Sequence, residues 1–239
     1  KYFINGDSTN AITASKPVFR TGLNYQLAKA TYIRTSWGQG YRFPSMAELF
    51  ISTNQSGLEI YSNPQLKPES GWSSEIGIKQ GVKTGKWMGY IDIAAFLMRY
   101  EDMMEFSFGQ WGGPEKPLFG NGFKSVNVGK TQISGFELSI SGQGKINSNL
   151  AINVIAGYTY MNPISLDLDH VYAETANGFE LTYRNSSSDS TMLKYRYKHL
   201  AKADAEVVYK RITLGGSVRY NSFMKNIDYI FTLIGGDEE

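Results

Sequence analysis

The chain has 239 residues, 41% of them hydrophobic and 14% aromatic, with 16 Tyr, 13 Phe, 4 Trp and 25 Gly. No run approaches the roughly 18 unbroken apolar residues that a membrane-spanning helix needs, which excludes a helical span but not a strand-built one. Without Cys there is no disulfide framework or thiol chemistry, and 24 basic against 22 acidic residues form no basic stripe for nucleic acid.

Strict alternation begins at Phe19. Phe19, Thr21, Leu23, Tyr25 and Leu27 share one face against Arg20, Gly22, Asn24 and Gln26. A tight turn near Ala28-Lys29 leads to a second strand, with Thr31, Ile33, Thr35 and Trp37 opposing Arg34 and Ser36. Trp72, Ser74, Ile76 and Ile78 then oppose Ser73, Glu75, Gly77 and Lys79. From about Trp87, Ile91, Ile93, Ala95 and Leu97 oppose Asp92, while Phe96 and Met98 blur the pattern. Val126, Val128, Phe136, Leu138 and Ile140 read as one face of the next strand, against Asn127, Gly129, Gly135, Glu137 and Ser139. Three more follow: Leu150 to Tyr160, Ala201 to Tyr209, and Ile212 to Tyr220. Period-two alternation over segments of this length is the signature of half-buried strands.

The connections carry a second pattern. Those near 28–29, 83–86, 143–148 and 210–211 are tight, whereas 40–71, 107–123 and 163–194 are long. Long irregular loops at every second connection are foreign to a compact soluble domain. They are the rule in outer-membrane barrels, with short periplasmic turns and longer extracellular loops. The fold expected is therefore all-β, an antiparallel transmembrane β-barrel. A soluble all-β binding module is the alternative on composition alone. One short helical turn is expected over 45–50, after Pro44. Charges of both signs on the polar faces (Arg20, Arg34, Glu75, Lys79, Glu137, Lys202, Asp204, Glu206, Arg219) would then face a water-filled lumen and pair there.

Segment 36–50 ends in an aromatic-Arg-x-Pro-Ser-x-x-Glu-Leu run carrying Arg42, Pro44, Glu48 and Leu49. It is followed by Asn63-Pro64-Gln65-Leu66-Lys67-Pro68-Glu69, with Trp72 and Glu75 beyond. The pair resembles the barrel signature of TonB-dependent receptors. So do Asn127–Leu138, with its Gly-hydrophobic-Glu strand, and Tyr195-Arg196-Tyr197-Lys198-His199, where Tyr197 stands in place of the usual Pro. The resemblance spans roughly residues 18–225. It implies a barrel of about 22 strands closed by an N-terminal plug. Residues 1–239 would be a partial barrel domain of about eight strands without that plug. It also implies a receptor in the bacterial outer membrane, in contact with lipid and with TonB through the plug. Such a receptor imports a scarce, bulky extracellular nutrient such as a siderophore-iron complex, cobalamin, a glycan or a peptide. A passive porin or channel is the rival within the same fold.

No catalytic constellation emerges, and the chain is read as a non-enzyme without a cofactor or a metal. His170 and His199 are the only histidines, too few for a His-rich site. Asp167, Asp169 and His170 read as a solvated loop, and Gly142-Gln143-Gly144-Lys145 lacks phosphate-loop spacing. The best ligand-contact candidates are the loop aromatics Phe106, Phe108, Trp111 and Phe119, since aromatic faces offer large contact areas. Trp87, Tyr158 and Tyr160 fit an interfacial aromatic belt better.

Overall fold

The computed structural model describes residues 16–55 and 58–235. Its elements in chain order are β1 (Arg20–Ala28), β2 (Thr31–Arg42), α1 (Met46–Phe50), β3 (Thr53–Gln55), β4 (Leu58–Tyr61), β5 (Glu69–Thr84), β6 (Lys86–Glu101) and β7 (Met104–Gln110). After a 3₁₀ turn at Pro117–Gly120 come β8 (Asn121–Asn127), β9 (Thr131–Lys145), β10 (Leu150–Ser165), β11 (Ala173–Glu174), β12 (Glu180–Leu181), α2 (Tyr183–Ser186), β13 (His199–Tyr209), β14 (Ile212–Asn221) and α3 (Tyr229–Gly235). Eight strands form one antiparallel wall in the order β1-β2-β5-β6-β9-β10-β13-β14. Every wall neighbour in space is the next wall strand in sequence, which is the up-and-down meander of a barrel.

Register converts the alternation into two faces. Ile33 pairs with Ile78, Ile78 with Ile93, and Ile93 with Leu138, so one rung is apolar across four strands. The next rung pairs Lys79 with Asp92 and Asp92 with Ser139 on the other face. Ile76, Ile78, Ile93, Leu214 and Val218 are 43–71% exposed on the apolar face. Sheet-wide apolar exposure of this kind requires a covering medium, and in a barrel wall that medium is lipid. Phe96 and Met98 fall on the polar face, where Phe96 lies over Gly135. A Cβ at Gly135 would also stand 2.0 Å from the Tyr160 carbonyl oxygen.

Of the nine polar-face charges, Arg34 and Glu75 form an ion pair among the described residues, with Asp92 joining them. Arg34 of β2 reaches Glu75 of β5 at 2.8 Å and Asp92 of β6 at 2.7 Å, bridging three strands. The guanidinium fits because Gly77 lies beneath it; a Cβ there would sit 2.8 Å from Arg34 Cζ. Lys79 holds its ammonium 3.7 Å from the Tyr90 ring centroid, and Asn153 donates to Glu206 at 2.8 Å.

Aromatic rings mark both margins of the apolar face. At the short-turn end the Trp87 indole donates to the Ile152 carbonyl at 3.0 Å. At the other end Phe136, Tyr158, Tyr160 and His199 cluster with centroids 5.3–6.1 Å apart, and Tyr158 Oη lies 2.8 Å from His199 Nδ1. Along β10, from Ile152 to Tyr158 and Tyr160, the rise is about 20–26 Å at ~3.3 Å per residue, close to the ~25 Å apolar band of such barrels.

Two expectations change here. The strand read from Val126 to Ile140 is two strands in two sheets. Gly129, at φ 87, turns the chain between β8 and β9. The parity of the apolar residues survives that break, which is why one strand was expected. The long connections are also not irregular. β3, β4, β8 and β7 make a second four-stranded sheet, and the buried apolar residues gather there: Leu49, Leu66, Met103, Met104, Val126, Val128, Tyr183 and Leu193. The protein core therefore sits in the long-loop layer, while the wall leaves its apolar face to lipid.

Candidate functional site: the long-loop layer

The double-proline motif builds the floor of this layer. Pro44 ends the β2 ladder, and Ser45 caps α1 in a capping box: its hydroxyl accepts from the Glu48 amide at 3.2 Å while Glu48 accepts from the Ser45 amide at 2.7 Å. Arg42 holds the same carboxylate at 3.1 Å, and Leu49 packs against Leu66 and Met104. The Asn63 side chain donates to the Ser125 carbonyl at 2.8 Å. Asn127 accepts the Lys67 amide at 2.8 Å and donates to the carbonyls of Lys67 at 3.0 Å and Asp102 at 2.8 Å. Glu69 accepts the Met104 amide at 2.8 Å. Arg42, Pro44, Glu48, Leu49, Asn63, Leu66, Lys67 and Glu69 thus form a clasp that fastens the first long connection to the second. Pro64 and Pro68 hold their preceding residues extended between the contacts.

One face of the second sheet packs on the third long connection through a buried polar cluster. Lys194 and Asp228, each 2% exposed, meet at 2.6 Å. Asp228 also accepts from Ser107 at 3.1 Å, from the Phe108 amide at 2.9 Å and from Tyr195 at 2.7 Å. Lys194 donates to Ser186 at 2.9 Å. The Tyr183 hydroxyl accepts the Lys194 amide at 2.6 Å and donates to Glu105 at 3.1 Å. Burial pushes the Glu105 carboxyl above its usual range against the pull of Arg196 and Lys194, and burial beside Glu105 pushes the Tyr183 hydroxyl up. Folding therefore favours the protonated Glu105. Its contribution to the layer's stability is full below the ordinary carboxylate value of about 4.3 and is lost as pH rises through the raised folded value. We predict that Glu105→Gln, which keeps an acceptor for Tyr183, flattens the decline in the layer's hydrogen-exchange protection between pH 4 and 8. An unaltered decline would contradict this.

The opposite face carries rings. Phe106 stacks on Phe123 at 4.8 Å and 7°, and Phe108 meets Phe123 edge-on at 5.2 Å and Phe231 at 4.8 Å. Phe106 remains 43% exposed. Beside the stack is a cavity of about 420 Å³ lined by Met104, Glu105, Phe106, Phe123, Lys194, Tyr195 and Arg196. Of the four expected contact aromatics, the structure brings together Phe106 and Phe108. Trp111 packs inward on the Met103–Val126–Tyr183 cluster with Lys124 5.2 Å from its ring, and Phe119 stands apart, 72% exposed at φ 55. Phe123, Phe231, Lys194 and Asp228 were missed. Phe123 carried no periodic signal, since it has the opposite parity to Val126 and Val128, and Lys194 and Asp228, 34 residues apart, had none either.

Asp169 does not join a cation site but pairs with Arg184 at 2.7 Å. Among the described residues no group of three or more His, Asp or Glu side chains is arranged for a metal.

Comparison with known proteins agrees with this architecture. The chain is 21% identical over 208 residues to the hemoglobin and hemoglobin-haptoglobin-binding protein A of Haemophilus influenzae, covering 72% of this chain and 19% of that protein. It is 28% identical over 118 residues to a vitamin B12 transporter of Vibrio vulnificus, covering 48% of this chain and 16% of that one. It thus spans about a fifth of the length of these relatives. The siderophore receptor PiuA from Acinetobacter baumannii superposes with a TM-score of 0.53 at 18% identity, over 86% of this chain and 26% of the receptor. Residues 2–236 match the family described as TonB dependent receptor-like, beta-barrel, and with its eight-stranded wall, aromatic margins and proline clasp this chain is a member of that outer-membrane family.

Proposed function

We propose that the chain forms part of a receptor that captures a scarce, bulky extracellular nutrient and admits it with TonB-transmitted energy. Its plug and TonB contact would be supplied by sequence other than these 239 residues. Within it, the long-loop layer is one side of the ligand mouth. The observation that carries this reading is the Phe106–Phe123 stack, with Phe106 exposed beside a cavity of about 420 Å³. Phe106 and the protruding Phe119 make the contact in this proposal, while Phe108 braces the stack on the same face and Trp111 packs on the opposite one. The relatives' names cover hemoglobin and vitamin B12, so the cargo of this chain is left to experiment.

The test uses the full-length receptor in its own cells, supplied with hemoglobin, cobalamin or a ferric siderophore as the limiting source. Phe106→Ala combined with Phe119→Ala is expected to lower uptake of the accepted source about tenfold or more, as loss of central aromatic anchors does. Receptor level and heat-resistant migration should be unchanged. Undiminished uptake would remove the mouth from this layer. Uptake that persists without TonB would replace the receptor reading with a passive channel.

A further inference from the structure

Arg196, in the Tyr195–His199 motif, has no hydrogen-bonded acceptor among the described residues. Its ion-pair partner, Glu105 Oε1, lies 3.8 Å away, too far for a hydrogen bond. That oxygen is itself buried and makes no hydrogen bond, while Oε2 accepts from Tyr183 at 3.1 Å. Burial favours the protonated Glu105 carboxyl, which leaves the Arg196 charge without a full counter-ion. The neighbouring cation is satisfied differently, since Lys194 meets Asp228 at 2.6 Å. Local backbone holds the two apart. Tyr195 adopts φ 55, a left-handed conformation unfavourable to a residue with a side chain. It is pinned there by its amide on the Asn226 carbonyl at 2.8 Å and its hydroxyl on Asp228 at 2.7 Å. On one side of this turn Lys194 is buried; on the other Arg196 lines the cavity of about 420 Å³ with 37% of its side chain exposed. Strain of this kind persists only where the surroundings over-determine it, and it gathers at ligand sites. Phe106 lines the same cavity, half-exposed and backed by Phe123. An unsatisfied guanidinium and an open aromatic face therefore share one small-molecule-sized cavity.

We infer that this cavity is a subsite for a flat-ring carboxylate, with the carboxylate on the Arg196 fork and the ring on Phe106. The inference rests on the reading of the long-loop layer as a ligand mouth and names the chemistry that mouth selects. A guanidinium has donors and no acceptor, and two of its N–H groups match the two oxygens of a carboxylate in one plane. A cationic ligand would meet Arg196 and Lys194 together. A wholly apolar one would cover the guanidinium without supplying an acceptor, which is costly.

The full-length receptor in detergent tests this by saturation-transfer titration at neutral pH with benzoate, benzamide and cyclohexanecarboxylate. Benzoate is expected to bind about tenfold or more tighter than benzamide, as a charged hydrogen-bonded pair does over a neutral one. It should bind about threefold or more tighter than cyclohexanecarboxylate, which has the charge but cannot stack. This ranking in the parent does not depend on any variant folding. Arg196→Gln should abolish the preference for acid over amide, and Arg196→Lys should restore only part of it, because an ammonium lacks the planar fork. Phe106→Ala should weaken benzoate and benzamide alike and keep the preference between them. Equal binding of acid and amide by the parent, or a preference that survives Arg196→Gln, would overturn the subsite. Equal binding of the two acids would overturn the flat-ring class. Either result leaves the aromatic mouth standing on its uptake test, because binding is read on the purified receptor and uptake in cells.

Discussion

Replacing Asp228 by Ala should loosen the long-loop layer by about 3–5 kcal/mol while leaving the wall folded. That is the usual effect of stranding one member of a buried ion pair. The reason is specific to this site. Asp228 takes hydrogen bonds from Ser107, the Phe108 amide and Tyr195 besides meeting Lys194 at 2.6 Å. Its removal leaves a 2%-exposed ammonium hydrogen-bonded only to the hydroxyls of Ser107, Tyr172 and Ser186, and frees the 225–230 segment from β7. Limited proteolysis should then cut within 166–195 or 222–230 at least a hundredfold faster, a factor that ~3 kcal/mol of local opening allows. Heat-resistant migration of the barrel should persist. Lys194→Met combined with Asp228→Leu should recover much of the loss, because it removes both charges together. Unchanged proteolysis of Asp228→Ala would show that the ion pair does not hold the layer.

Placing a lysine on the apolar face should be the other costly change. Ile93 of β6 lies between Ile78 and Leu138 on that face and is 48% exposed in the chain alone. In a bilayer Ile93→Lys is expected to cost about 2–4 kcal/mol, the range for a cation near the midplane of a barrel wall. Ser139→Lys, one rung away on the polar face and opposite Asp92, should cost little, since water and a carboxylate await it. Denaturant unfolding of the full-length receptor in lipid vesicles, followed by tryptophan fluorescence, separates the two. Equal costs would mean that the assigned faces are wrong.

These effects differ in how far the sequence foretold them. The face assignment at Ile93 and Ser139 was legible because a strand's side chains alternate with period two and the wall pairs sequential neighbours. The same local rule placed Arg34, Glu75 and Asp92 on one face. It did not say that a single guanidinium would span three strands, which needed register and the space over Gly77. It also misled at Val126–Ile140, because alternation keeps its parity through the turn at Gly129.

The buried Lys194–Asp228 pair was invisible for a physical reason. Two residues 34 apart in irregular segments carry no periodicity, and a lysine or aspartate in a loop reads as solvated until the packing around it is known. The proline motif was recognised as a sign of family, yet its work as a clasp appeared only when Asn63, Lys67 and Glu69 were seen against Ser125, Asn127 and Met104. By itself, then, the sequence determined the strands, their two faces and the alternation of short and long connections, all of which follow from local stereochemistry and side-chain polarity. Tertiary structure alone decided that the long connections fold into a second sheet with the only sizeable buried core among the described residues. That outcome depends on contacts between segments 60 to 120 residues apart, such as Asn63 with Ser125 and Ser107 with Asp228, whose cost in chain entropy is met only when all of them form together.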